Sequence, residues 1–340
     1  MSTCPLCARP TSDVLTRFAV AEMAEFFCSE ALDREKYARM QVILRRLWSD
    51  DHVEVLRCGH CDFGFADPFV AGDAEFYNLQ APDTPYPQDK WEYRRSLQDF
   101  LTARGSIGRV LDVGAGKGFF LRHLIANGWA PGQLEATEFS ATGTRAIEAL
   151  GASCHQADVR ELRDREGAFD AICLFQVLEH CAGYDGLLAA LGSLAAPAGH
   201  LFIAVPNGRR VDFDERSGVL FDRPPNHISR WTPASFEVFA AKYGWRIEAI
   251  ELEPAPSVTN EAAYGAVHTF IGNSHRHGSW SRWSYGVADR VFSHQSKANK
   301  VVKAAAMALS PGSWRSAVAL ALAARTGAVP HSLWVHLRKA

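Results

Sequence analysis

From position 109 onward, short apolar runs alternate with amphipathic stretches. Strands are predicted at 109–113, 133–138, 152–156, 169–175 and 200–205, with helices at 118–126, 141–150 and 184–194 between them. That alternation is the pattern of a parallel sheet built from βαβ units. A helix over 233–243 follows Thr232 and starts on Pro233; Gly244 stops it, and 245–252 reads as another strand. The polar stretch 208–231, with its Pro224–Pro225 pair, reads as a long loop. Upstream, a charged helix is predicted at 31–48, a Pro-rich polar connector at 77–91 and a further helix at 88–104. Beyond Pro256 the pattern weakens to a strand near 264–270 and Ala-rich helices near 300–309 and 316–324.

Composition changes this picture little. The chain has 340 residues, enough for one large domain with appendages or about two domains. It holds no apolar run of about 18 residues and opens without the basic-then-apolar layout of a secretory signal, so the cytoplasm is the expected location. The net charge of −2 argues against a dedicated nucleic-acid binder. Residues 261–340 nevertheless carry ten Lys or Arg against two acids, or +8, which leaves −10 for the remainder. Such a basic end points mildly to an anionic partner, a phosphorylated substrate or a membrane surface touched peripherally; a solvated helical face is the simpler account.

The first strand runs into a glycine-rich turn, Val110-Leu-Asp-Val-Gly-Ala-Gly-Lys-Gly-Phe-Phe120. Glycines there let the backbone approach a ligand, and the helix that follows adds unpaired N–H donors. The spacing Gly-x-Gly-x-Gly, with Phe119 where a dinucleotide fingerprint needs its third Gly, departs from that motif. Glu138 ends the second strand, 24 residues after Gly114, where a carboxylate can accept both hydroxyls of a ribose, and Asp158 follows the third strand.

With these pieces, and with Phe169-Asp-Ala-Ile-Cys-Leu-Phe-Gln-Val-Leu-Glu-His180 and Ala196-Pro-Ala-Gly-His-Leu-Phe-Ile-Ala-Val-Pro206, the chain resembles the class I S-adenosylmethionine-dependent methyltransferases, in particular their small-molecule branch. The resemblance covers about 109–252. It implies an α/β fold, a Rossmann-like seven-stranded and mostly parallel sheet with helices on both faces. It also implies roles. Gly114, Ala115, Gly116 and Gly118 would carry the methionine portion with Asp112 behind them, and Glu138 the ribose. Asp158 would take the adenine amino group, Gln176 would line the cofactor, and Phe139 and Val159 count among the cofactor-binding residues. The Asn/Asp-Pro-Pro-aromatic motif of enzymes that methylate base amines is absent after the fourth strand, which disfavours DNA amine methylation.

Four of the eight cysteines form two Cys-x-x-Cys pairs, Cys4/Cys7 and Cys58/Cys61. In a cytosolic chain such doublets read as a closed, structural zinc site, with Cys28 and His60 as substitute ligands. The implied organisation is a zinc module over 1–75, a connector and leading helix over 76–107, a methyltransferase domain over 108–272 and a basic, mainly helical extension over 273–340. A four-cysteine module ahead of such a sheet resembles the layout of sugar C-methyltransferases, although the end of this chain does not match their second large domain.

His180 follows the fourth strand, at the sheet edge where ligands bind, and is the first candidate for a general base. His227 is the second, in Asp222-Arg-Pro-Pro-Asn-His-Ile-Ser-Arg-Trp231, where Arg223 and Arg230 are placed to fix an anionic acceptor. Packing roles compete for each of them. Tyr86, Trp91 and Tyr93 are candidates for the opposite wall of the pocket, His275 and His277 read as a solvated loop, and Trp280, Trp283 and Tyr285 read as apolar packing or a substrate wall. The reading is a methyltransferase for a small or sugar-like acceptor. Its alternatives are an RNA methyltransferase gripping nucleic acid through the zinc module, and a cofactor-binding subunit without turnover.

Overall fold

Successive residues of a strand face opposite sides of its sheet, and the buried runs between 110 and 252 use both sides. The computed structural model describes residues 2–31, 33–80, 87–103, 105, 107–217, 222–254, 318, 321 and 330–340. Strands β1 (Ser2–Thr3) and β2 (Pro10–Thr11) form a hairpin around the first cysteine pair. Next come β3 (Asp13–Ala19), α1 (Val20–Phe27), α2 (Arg34–Trp48), β4 (His52–Arg57), β5 (Gly64–Asp67) and α3 (Ala74–Leu79). Helix α4 (Trp91–Thr102) leads into β6 (Val110–Val113), α5 (Phe119–Ala126), β7 (Leu134–Thr137), α6 (Ala141–Glu148) and β8 (Ser153–His155). The chain continues through β9 (Phe169–Phe175), α7 (Tyr184–Leu194), β10 (Ala195–Pro206), α8 (Gly208–Arg216), β11 (Ser229–Arg230), α9 (Pro233–Tyr243), β12 (Trp245–Leu252) and β13 (Ser332–Lys339).

The main sheet has seven strands in the order β12-β13-β10-β9-β6-β7-β8. Only β13 runs against its neighbours, so the α/β, mostly parallel architecture expected from the sequence is the one observed. Val110, Ala171, Cys173, Phe202, Ala204 and Trp334 pack with α4, α5 and α6 on one face. Leu111, Val113, Ile172, Leu174, Leu201 and Ile203 pack with α7 and α9 on the other. Helix α9 shows its local determinants plainly: the Thr232 hydroxyl accepts from the Ser235 N–H, Pro233 opens the first turn, and Gly244 closes the helix in the left-handed region.

A second sheet, ordered β11-β5-β4-β3, belongs to the N-terminal region except for β11, which the main domain lends to it. It packs with α1, α2 and α3 around a core of its own that includes Met23, Ile43, Trp48, Val53 and Phe76. The helix predicted at 31–48 is α2, capped by the Asp33 side chain.

Two expectations are corrected. The stretch 208–231 is not a loop throughout: α8 starts on an Asn207 cap and places Val211 inside while its charged residues form ion pairs. The chain's end, expected as a helical extension, supplies β13, because alternate side chains there are covered on both sheet faces. The strand expected at 264–270, the helices at 300–309 and 316–324, and His275, His277, Trp280, Trp283 and Tyr285 lie essentially outside the described residues, as does Tyr86. Among the described residues no helix is long and apolar enough to cross a membrane.

Candidate active site

The glycine turn joins β6 to α5 at the carboxyl edge of the sheet. Gly114, Gly116 and Gly118 all have positive φ. At Gly114 a side chain would also collide, since a Cβ would lie 2.7 Å from a Val177 methyl, whereas Gly116 faces open space. Glu138 locks the turn: one carboxylate oxygen accepts the Gly116 N–H at 2.9 Å and the other the Ser140 N–H at 2.8 Å. Helix α6 then packs so closely that a Cβ on Gly143 would lie 2.4 Å from the Gly116 carbonyl oxygen.

Against this turn lies a cavity of about 540 Å³. Its lining includes Asp112, Gly114, Ala115, Gly116, Glu138 and Gln176, all expected from the sequence, together with Tyr93 from the proposed opposite wall. Gln80, Lys117, Phe119, Ser140, Thr142 and Phe175 line it as well and were not foreseen. Ser140 and Thr142 had a readable signal, an N-cap serine two residues after the strand-ending acid.

Asp112 is buried inside β6, and desolvation, helped by the nearby Glu138 charge, pushes its carboxyl up to about 8. Gln176 has φ +60, a strained value for a residue with a Cβ, at the end of β9. Its side-chain N–H donates to Glu92 at 3.3 Å.

Four expected cofactor residues stand apart from the lining; one is Gly118, at the start of α5 with Ile147 and Leu150 packed against it. Asp158 caps a short turn and is held by Arg160 through two hydrogen bonds of 2.7 Å, the contact that lowers its pKa. Val159 is buried beneath it, and Phe139 is largely exposed.

After Gln176 the chain makes a single turn, Leu178–His180. His180 Nδ1 donates to the Asn226 carbonyl at 2.8 Å, which leaves Nε2 as the ring's free lone pair. Burial, reinforced by the neighbouring His227, holds the ring down to about 3, so it stays neutral at physiological pH. The two rings meet edge to face with centroids 4.5 Å apart. His227 Nδ1 lies 2.6 Å from the Asp222 carboxylate. Burial alone would lower the His227 pKa; Asp222, and then Glu179, turn the net shift upward.

The structure therefore brings together the two histidines singled out in the sequence. It adds Glu179, the residue before His180 in the Leu-Glu-His turn. That carboxyl is fully buried, neither oxygen has a hydrogen-bond partner, and desolvation raises it to about 7. Tyr77 of α3 closes the far side, its hydroxyl 3.4 Å from His180 Nδ1.

The two arginines considered for an anionic acceptor are engaged elsewhere. Arg223 is buried over the rings of Phe18 and Phe26 and beside Glu22, and Arg230 is clamped by Asp212 and Glu215. Neither is held ready for a ligand.

The cysteine doublets converge. Cys4 and Cys61 Sγ are 3.7 Å apart, Cys7 and Cys58 Sγ 3.6 Å, and all four lie within 4.8 Å of one another. Four thiolates at 2.3 Å from a tetrahedral ion would be separated by about 3.8 Å, so the set fits such an ion. Cys28 instead donates to the Leu79 carbonyl, and His60 is exposed.

A comparison with curated proteins gave no match. Among solved structures, a methyltransferase from Archaeoglobus fulgidus described as SAM-dependent is 14% identical, with TM-score 0.43, covering 73% of this chain and 94% of that one. The 1,6-didemethyltoxoflavin-N1-methyltransferase of Burkholderia thailandensis, solved with 1,6-didemethyltoxoflavin and S-adenosylhomocysteine, is 15% identical, with TM-score 0.43, covering 74% and 80%. An S-adenosylmethionine-dependent methyltransferase from Mesorhizobium loti is 13% identical, with TM-score 0.44, covering 74% and 100%. Residues 88–250, from the start of the connector helix region into β12, match the family described as a methyltransferase domain.

Proposed function

We propose that this chain is an S-adenosylmethionine-dependent methyltransferase for a small-molecule acceptor. The observation that carries the reading is the cavity between the glycine turn and Glu138, in a segment that matches a methyltransferase domain. S-adenosylmethionine, when bound, supplies a methyl group on a sulfonium centre. The protein's task is to align the acceptor for in-line attack and to exclude competing water.

In this reading Glu138 holds the ribose hydroxyls, and the turn from Gly114 to Gly118 receives the methionine portion with Asp112 behind it. Gln176, held by Glu92, forms the wall that leads toward the acceptor side. Asp158, with Phe139 and Val159, serves the adenine, which requires Asp158 to exchange one contact with Arg160. His180 and His227 handle the acceptor, with His180 Nε2 as the available lone pair. The thiolates of Cys4, Cys7, Cys58 and Cys61 hold a structural zinc ion that shapes the N-terminal module.

The test supplies methyl-labelled S-adenosylmethionine to the purified protein with extract separated into polar small molecules, lipids and RNA. Label in the polar or lipid fraction is expected, and His180→Gln and His227→Gln should each lower turnover at least tenfold more than cofactor affinity. Label confined to RNA, or a failure to bind S-adenosylmethionine, overturns the proposal.

A further inference from the structure

We propose that Glu179, His180 and His227 form a second metal site, one that binds a divalent transition ion and offers it to an oxygen of the acceptor. The three side chains present one ligand atom each within 4.8 Å of one another. Ligands on an ion of this size stand about 3.0–3.5 Å apart, so the widest separation would close by up to about 1.3–1.8 Å, shared between side chains whose torsions supply the movement.

The surroundings of each ligand are those a metal site needs. Ligating imidazoles donate their second ring N–H to a carbonyl or a carboxylate, which sets the tautomer and aims the free nitrogen. His180 gives its Nδ1–H to the Asn226 carbonyl at 2.8 Å, and His227 sets Nδ1 2.6 Å from Asp222. His180 Nε2 is thereby free for an ion; the His227 contact with Asp222 is an ion-pair distance outside hydrogen-bond geometry, and an ion on the His227 ring would draw the opposite nitrogen toward that carboxylate. Glu179 is the complement: a fully buried carboxyl with two unpartnered oxygens, an arrangement that costs free energy unless a cation balances it.

The site is also accessible. The His180 side chain is 30% exposed and that of His227 12%. His180 lies four residues beyond Gln176, which lines the cavity. Two imidazoles and one carboxylate suit Mn2+, Fe2+, Co2+ or Zn2+ better than Mg2+ or Ca2+, and three protein ligands leave coordination positions for another oxygen.

The acceptor half of this inference rests on the methyl-transfer reading; the metal half does not. With an ion in place the His180 and His227 ring nitrogens would be its ligands and no longer proton acceptors, so a hydroxyl held beside the cation, made more acidic by it, would lose its proton to water. Its oxygen then forms a bond to the methyl carbon as the carbon–sulfur bond breaks, and the electron pair of that bond returns to sulfur. The product is an O-methylated acceptor.

The experiment titrates the full-length protein, its cysteine site loaded with zinc, with Mn2+, and follows free Mn2+ by electron paramagnetic resonance. One bound Mn2+ per chain is expected. Glu179→Gln and His227→Gln should each weaken it at least tenfold, and Asp222→Asn by about tenfold to a hundredfold. Zinc content and S-adenosylmethionine binding serve as the folding controls, and Glu179→Gln keeps the shape of a side chain that has no hydrogen bond to lose. No Mn2+ bound by the wild type, or unchanged binding in Glu179→Gln and His227→Gln, overturns the site. Because this readout needs no turnover, a failure of the methyltransferase reading leaves it standing. A product methylated on nitrogen or carbon removes the acceptor role alone.

Discussion

Asp112 and Glu138 lie in the same pocket and are put to opposite uses by their surroundings. Glu138 is anchored by two backbone N–H groups, and its place was readable from the distance to the glycine turn. Asp112 is surrounded by strand, so its proton is retained far above the ordinary range, to about 8. The unfolded chain releases that proton near pH 4 while the folded chain keeps it, so stability falls as pH rises between about 4 and 8. One such group contributes at most about 1.4 kcal/mol per pH unit. Asp112→Asn should flatten this slope, as measured by urea unfolding at several pH values; an unchanged slope would show that Asp112 ionises freely. Glu179 illustrates the opposite limit of legibility. A Leu-Glu-His pattern draws the eye to the histidine, and only packing reveals that the glutamate beside it has lost all solvent.

Strand β13 is the element least visible from its own residues. Ser332-Leu-Trp-Val-His-Leu-Arg-Lys339 gains its position from β10 and β12, neither of which adjoins it in sequence. Trp334 is its anchor: it is fully buried, its indole N–H donates to the Ser96 hydroxyl at 2.8 Å, and Arg95 lies over its ring at 4.2 Å. Trp334→Ala should destabilise the protein by about 3–5 kcal/mol in denaturant titration, the usual cost of emptying such a site. A loss below about 1 kcal/mol would mean that the strand contributes little. Helices α7 and α9, by contrast, were legible to the residue, α7 from its apolar periodicity and α9 from its Thr232 cap, Pro233 start and Gly244 stop.

The N-terminal module and the main domain share structure instead of merely touching. Cys4, Cys58, Cys61, Phe63 and Phe65 belong to the same apolar cluster as Leu111, Ile172 and Trp231. Arg57 of β4 pairs with Asp212 of α8, Arg209 reaches Asp62 at 2.7 Å, and the Thr232 hydroxyl donates to the Asp62 carbonyl at 3.3 Å. The cysteine site therefore supports the segment that carries Asp222 and His227, and Ile228 completes the module's core. Cys58→Ser should remove one zinc per chain by metal analysis, lower the thermal midpoint and reduce turnover more than cofactor affinity. Unchanged metal content would sink the four-thiolate site.

The amino-acid sequence by itself determined the parallel core, its helices and the glycine turn with Glu138, because periodicity, caps and turn glycines act over a few residues. It also marked the four cysteines and the two histidines as chemistry-bearing. Tertiary structure alone decided which of these meet: that two doublets some 50 residues apart close on one point, that His180 and His227 face each other, and that the last strand completes the sheet. It also decided that Arg223 and Arg230 are consumed by internal ion pairs and that Glu179 is stripped of water. Those outcomes depend on burial and on partners distant along the chain, and local sequence carries neither.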